Sequence, residues 1–120
     1  MSYQEALARL RHSKYRAKPQ RIDGIYFASK REAAVYQELK LLERAGKINS
    51  IWPQYPFVLT TTDARGMKHK VGVHKVDFRY WDCETKQFKY LEVKGNDHAD
   101  GRLRRRWVEA EHGVVIEVKK

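Results

Sequence analysis

The chain has 120 residues, 42% of them hydrophobic, which suits one domain around one core. No run approaches the ~18 apolar residues of a membrane-spanning helix, and the single Cys83 excludes an internal disulfide or a cysteine metal knuckle. Lys and Arg number 25 against 15 acids, a net charge of +10. That excess favours a polyanionic partner, because each neutralised phosphate releases counterions.

A basic membrane-surface protein is the competing explanation, but no long Lys/Arg-faced helix with a broad apolar side is present. Nucleic acid is therefore the expected partner. With no signal-peptide pattern at its start, the chain is expected in the reducing cytoplasm. The expected organisation is one domain over residues 1–120: an N-terminal helix and basic arm over 1–21, then a core over 22–120.

Ser2-Tyr3-Gln4-Glu5 reads as a capping box opening a short helix, with Tyr3, Leu7 and Leu10 on one stripe. Arg11–Arg21 is basic, contains Pro19 and has no apolar period, so it reads as an exposed arm. Asp23-Gly24 between β-prone flanks signals a tight hairpin over Arg21–Phe27. Ser29-Lys30-Arg31-Glu32 is a second capping box. The helix it opens has Val35, Leu39 and Leu42 as its buried stripe, widened by Ala34, Leu41 and Ala45, with Gly46 as a left-handed cap.

Three strands are predicted next, over Trp52–Thr61, Lys68–Tyr80 and Gln87–Lys94. Pro53 and Pro56 point to an edge position for the first. Asp63–Gly66 and Cys83–Lys86 supply the turns, with Asp82 beside the second. A polar loop, Gly95–Gly101, leads to a basic helix over Arg102–His112, with Leu103, Trp107 and Ala110 as its core stripe. Val114–Lys119 closes as a strand. The order is helix, three antiparallel strands, helix, strand: a small α/β domain.

Chemistry concentrates on the hairpin formed by the second and third strands. A turn centred near Glu84 and Thr85 pairs Phe78 with Leu91 and Val76 with Val93. The same register sets Asp77 opposite Glu92 and Lys75 opposite Lys94. Opposed side chains lie roughly 4.5–5.5 Å apart at Cβ, where like charges are destabilising. A divalent cation explains two facing carboxylates, since Mg²⁺ takes one or two carboxylates plus waters and phosphate oxygens. Lys94 is then placed to position or deprotonate an attacking water, or to offset charge on the phosphate. The bland alternative is a solvated charged face.

Asp77 followed by Glu92-Val93-Lys94, in this order of elements, resembles the PD-(D/E)XK nuclease superfamily. KYRAKPQRIDGIYFASKREAAVYQEL is also similar to a family of small phage and prophage proteins assigned to it. Val76 stands where the superfamily has a proline before the aspartate. The resemblance implies a restriction-endonuclease-like core over residues 29–119, running helix, three-stranded antiparallel meander, helix, strand. It implies Mg²⁺, or Mn²⁺ in its place, on Asp77, Glu92 and the Val93 carbonyl, with Lys94 serving the water. It also implies a catalytic role for Glu32, which is equally explained as the third residue of its capping box.

Other candidates fit less chemistry. Arg102, Arg104, Arg105 and Arg106 offer phosphate contacts, or are solvated helix-surface residues. Lys14, Tyr15, Arg16, Lys18 and Arg21 make the same case for the arm, where Tyr15 could stack on an unpaired base. His69, His74, His98 and Asp97 match no zinc spacing; His74 reads as a strand-end core or rim residue, and Asp97 and His98 as loop residues near the substrate. Trp52 and Trp107 read as packing residues, and Gln54 as polar support near the site.

Two functions follow as expectations. One is a metal-dependent DNA endonuclease, structure-selective on branched DNA such as Holliday junctions and acting as a homodimer, in a bacterial host's cytoplasm if phage-encoded. The other is a non-catalytic DNA-binding or packaging accessory that retains the fold.

Overall fold

The computed structural model describes Gln4 and residues 20–120. Of the expected first helix only Gln4 is described, and it is helical and exposed; the arm residues Lys14, Tyr15, Arg16 and Lys18 lie outside the described residues. The chain divides into two compact units, residues 1–40 and 41–120. The elements are mixed α/β: among the described residues, besides helical Gln4, there are two full helices, a two-stranded sheet and a mostly antiparallel four-stranded sheet. No helix there is long and apolar enough to cross a membrane.

In the first unit, β1 (Gln20–Ile22) and β2 (Ile25–Phe27) form the expected hairpin. Asp23 and Gly24 both take positive φ, 53° and 74°, as a two-residue turn matching strand twist requires. Arg21 is thus a strand residue, exposed and paired with Tyr26, rather than the end of an arm. Helix α1 (Lys30–Arg44) follows. The Glu32 N–H donates to Ser29 Oγ at 3.1 Å, so the cap forms as read.

The buried residues of α1 are Ala33, Val35, Tyr36 and Leu39. Ala34, Leu41, Leu42 and Ala45, expected in the stripe, are exposed. Tyr36 displaces them because its ring meets Phe27 at 4.9 Å while its hydroxyl donates to Asp23. The amphipathic ring therefore turns the helix toward the hairpin. Gly46 ends α1 at φ 75°, with its N–H on the Glu43 carbonyl and the Lys47 N–H on that of Leu42.

The second unit is built on β3 (Ile48–Thr62), β4 (Lys68–Asp82), β5 (Gln87–Val93) and β6 (Ile116–Lys119), in that spatial order. β3, β4 and β5 are antiparallel neighbours, and β6 pairs with β5 in parallel. Helix α2 (Ala99–His112) makes the crossover, as a parallel pair demands. It begins three residues before the expected start and ends on Gly113 at φ 67°.

Phe57, Leu59, Val76, Val108 and Ile116 form the core between the sheet and α2, joined by Tyr55, Tyr90, Trp107 and Val114. The stripe expected on α2 is displaced by about half a turn from the buried line, at ~100° per residue. Gly101, Arg105 and Val108 are its buried residues, whereas Leu103 is 60% exposed and Ala110 is at the surface. The C-terminal half of α2 also reaches the outer backbone edge of β3. Trp107 Nε1 donates to the Thr60 carbonyl, His112 Nε2 donates to that of Val58, and the Glu111 carboxylate accepts the Thr60 N–H.

These positions separate two substitutions that the sequence pattern treats alike. Phe57→Ala removes a buried ring packed on Tyr55, Tyr90 and His112 and is expected to cost about 3–5 kcal/mol. Leu103→Ala is expected to change stability by no more than about 0.5 kcal/mol. Urea unfolding of the two variants checks both figures.

Candidate active site

The hairpin of β4 and β5 keeps the expected register from Asp82↔Gln87 to Phe78↔Leu91. The pairs expected beyond it, Val76 with Val93 and Asp77 with Glu92, are not part of the ladder. The reason is a break in alternation. Trp52 and Tyr55 of β3 both contact Arg79, so they share a side although three residues apart. Val76 and Arg79 of β4 share that side likewise, Val76 in the core beneath α2 and Arg79 over Tyr55. Side chains two apart share a face in a regular strand, so alternation slips in both strands between these positions, in addition to the register shifts between Asn49 and Trp52 and between Leu59 and Thr60. The slip falls at Gln54, with φ 53°, and at Asp77 across from it.

The slip frees Asp77 from the usual inward–outward choice. Its Oδ2 accepts the Val93 N–H at 2.7 Å, and its Oδ1 accepts from Gln54 Nε2 at 3.3 Å. A side-chain oxygen thus satisfies the backbone donor just past the last ladder pair. Burial is the main influence on the Asp77 carboxyl and raises its pKa above the usual carboxylate range. The Val93 N–H and the Lys94 charge pull it back down, while the Glu92 charge adds to the rise.

Glu92 does not lie on a solvated face. It is 1% exposed and points beneath α2. Its Oε1 accepts from His74 Nε2, and its Oε2 accepts from Arg105 Nη1 at 3.2 Å. An ionised carboxylate only accepts, so this contact sets the ring proton on Nε2. Lys94 Nζ stands 4.0 Å from Glu92 Oε2 at the rim. Arg105 in turn donates from Nη2 to both oxygens of Asp97 at 2.6 Å, which holds the Asp97 carboxyl below its usual range.

The structure therefore brings Asp77, Glu92, Val93 and Lys94 together within the second unit. Glu32 belongs to the first, in the opening turn of α1. Arg105 leaves the expected phosphate-binding set, being 6% exposed and ion-paired to Glu92 and Asp97. Arg102 and Arg106 are exposed, and Arg104 pairs with Asp100 one turn earlier. His98 is the N-cap residue of α2 and makes no side-chain cap bond.

Hard oxygen donors suit a magnesium-like ion, and the charge that Asp77 and Glu92 impose on each other is one a cation would offset. Each carboxylate oxygen retains a lone pair beyond the bonds described. Among the described residues no group of three or more His, Cys, Asp or Glu side chains is placed to hold a metal. A cation here would accordingly rely on the two carboxylates, the Val93 carbonyl, water and substrate.

Sequence reasoning missed Arg105 and His74 as the partners of Glu92. The available signal was spacing: Asp97, Gly101 and Arg105 recur every four residues. Gly101 and Arg105 lie one turn apart on α2, with Asp97 in the loop just before it.

A family model described as "Protein of unknown function (DUF1064)" matches residues 12–119. No curated protein and no solved structure matches the chain.

Two outcomes test this geometry. Arg105→Met leaves the Glu92 charge buried without its ion pair and is expected to cost about 3–5 kcal/mol in urea unfolding. For Asp77 the folded pKa is raised, so the ionised group lowers stability above that pKa and the penalty vanishes below its ordinary unfolded value. Asp77→Asn is therefore expected to raise Tm at pH 7 in EDTA, by an increment that shrinks as pH falls through the raised folded pKa and is gone below about 4. An increment that grows on acidification contradicts the raised pKa.

Proposed function

The chain belongs to the DUF1064 family, and we propose that it is a metal-dependent DNA endonuclease with the restriction-endonuclease-like core of the PD-(D/E)XK superfamily. The observation that carries this is the Asp77 carboxylate seated on the Val93 N–H beside buried Glu92, with Lys94 at the rim. The element order α1, β3–β4–β5, α2, β6 supports the same core.

Asp77 and Glu92 would hold Mg²⁺ or Mn²⁺ with the Val93 carbonyl. When bound, such an ion polarises a phosphoryl oxygen and lowers the pKa of coordinated water. The chain's own groups do the rest. His74 and Arg105 hold the Glu92 carboxylate in one orientation, so the charge is fixed before substrate arrives. The Val93 N–H and Gln54 do the same for Asp77.

Lys94 brings its amine to the rim, where it orients the attacking water or offsets charge on the phosphate under in-line attack. The new bond joins the water oxygen to phosphorus, and the bond to the leaving sugar oxygen breaks. Glu32 is a further acid by resemblance, alongside its place in the cap. Arg21, Arg102, Arg104 and Arg106 supply phosphate contacts, together with the arm residues. Branched DNA such as a Holliday junction is the proposed substrate, and symmetric cutting of one needs two copies of the site, hence a homodimer.

A rival reading, a DNA-binding or packaging accessory without activity, draws on one observation: His74 and Arg105 already engage both Glu92 oxygens. Cleavage of linear duplex, single strand, flap and four-way junction, with Mg²⁺, with Mn²⁺ and in EDTA, separates the two. Metal-dependent cutting of the branched substrates is expected. Asp77→Ala should reduce it by at least ~100-fold, the lower range for a group acting in acid–base or electrostatic catalysis, with DNA affinity unchanged. If no substrate is cut with either metal at low salt, the accessory reading stands instead.

A further inference from the structure

Along the α2 face of the sheet, toward the β4–β5 turn, lies a cluster that the carboxylate site does not use. The Arg79 guanidinium sits 4.3 Å from the Tyr55 ring centroid, 4.2 Å from that of Phe88 and 5.1 Å from that of Trp52. Trp52 also meets Tyr55 edge-on at 5.2 Å, and Trp81 meets Phe88 at 5.0 Å. Packing alone would be expected to cover such rings. Instead Trp52 is 51% exposed and Phe88 41%.

Arg79 carries a second anomaly. Its Nε is buried and has no hydrogen-bond partner among the described residues. Buried donors are almost always satisfied, and leaving one unmade is costly. Stacking neutralises neither the charge nor the donors of the guanidinium; it fixes the plane and leaves the fork seeking acceptors. A partner that fits must offer a flat ring to Trp52 and Phe88 and hydrogen-bond acceptors or negative charge to Arg79. Unpaired nucleotides offer both, whereas a continuous duplex hides its ring faces inside the stack. The net charge of +10 matches a polyanion.

We propose that Trp52, Phe88 and Arg79 form a stacking site for an unpaired nucleobase beside the carboxylate centre. It lies close to that centre in the chain: Gln54, bonded to Asp77, falls between Trp52 and Tyr55, and Arg79 is two residues from Asp77. Two residues along a strand span roughly 6.8 Å. The inference rests on the nucleic-acid reading and deepens it, giving the substrate an unpaired stretch next to the bond that is cut.

The test is fluorescence anisotropy in EDTA at low salt, with a labelled oligothymidylate and a labelled blunt duplex of the same length. Trp52→Ala should weaken oligothymidylate binding roughly tenfold, about 1.4 kcal/mol, within the range of base–aromatic stacking. Duplex affinity should change by less than about twofold, and Trp52→Phe, which keeps a ring, should restore most of the loss. Unchanged oligothymidylate affinity in Trp52→Ala, or an equal loss on both probes, overturns the stacking site.

These outcomes are separable from the nuclease reading. Metal-dependent cutting with no selective loss in Trp52→Ala removes the stacking site alone. Selective loss in a protein that cuts nothing keeps the stacking site and removes the nuclease.

Discussion

The second unit is organised around one charge that must not be left alone. A carboxylate as dry as Glu92 loses its hydration, and burial without a partner would be prohibitive. Arg105 and His74 replace that hydration, and supplying them dictates much else. Arg105 has to face the sheet, so the buried line of α2 passes through Gly101, Arg105 and Val108 instead of the more apolar Leu103. The far side of the guanidinium then needs its own acceptor. Asp97 gives both oxygens, which ties the loop before α2 to the helix itself.

The two central carboxylates are held by different means. Glu92 is gripped by two side chains, one from β4 and one from α2. Asp77 is gripped within the sheet, by a backbone N–H of β5 and by an amide from β3. Glu92 is fixed by the tertiary fold, and Asp77 by the slip in the sheet that removes it from regular alternation. A buried ion network of this kind adds little net stability compared with an apolar core. Its retention fits a site where geometry matters more than stability.

Features written in local sequence were legible from it. Asp23-Gly24 gave its hairpin, Ser29 its cap and Gly46 its helix end, because each rests on the conformational chemistry of one or two residues. The β4–β5 register could be read from turn length and pairing as far as Phe78 and Leu91. What failed was the placing of Arg105 with the solvated arginines of α2. Arg105 lies inside, so the helix stripe came out rotated. Glu92 lies inside too, which removes the solvated-face alternative.

The alternation count also failed beyond Phe78. A slip shared by two strands leaves their pairing sum intact: Trp52↔Arg79 and Tyr55↔Val76 both total 131. It is invisible to a pattern of apolar and polar letters. The exposure of Trp52 was equally hidden, since a tryptophan in a β-rich run reads as core.

The grip of α2 on β3 bears on how copies of this chain can meet. β3 is an outer strand of the sheet, and a bare outer strand is a template on which another chain can extend the ladder. Here Trp107, Glu111 and His112 occupy the outward groups of Val58 and Thr60. Pro53 and Pro56, further along the same strand, have no N–H to offer. That margin is closed to strand addition over residues 53–60, which protects a β-rich unit from edge-to-edge aggregation there. Any symmetric pair of chains must therefore join through side chains or helices rather than by continuing the sheet past β3.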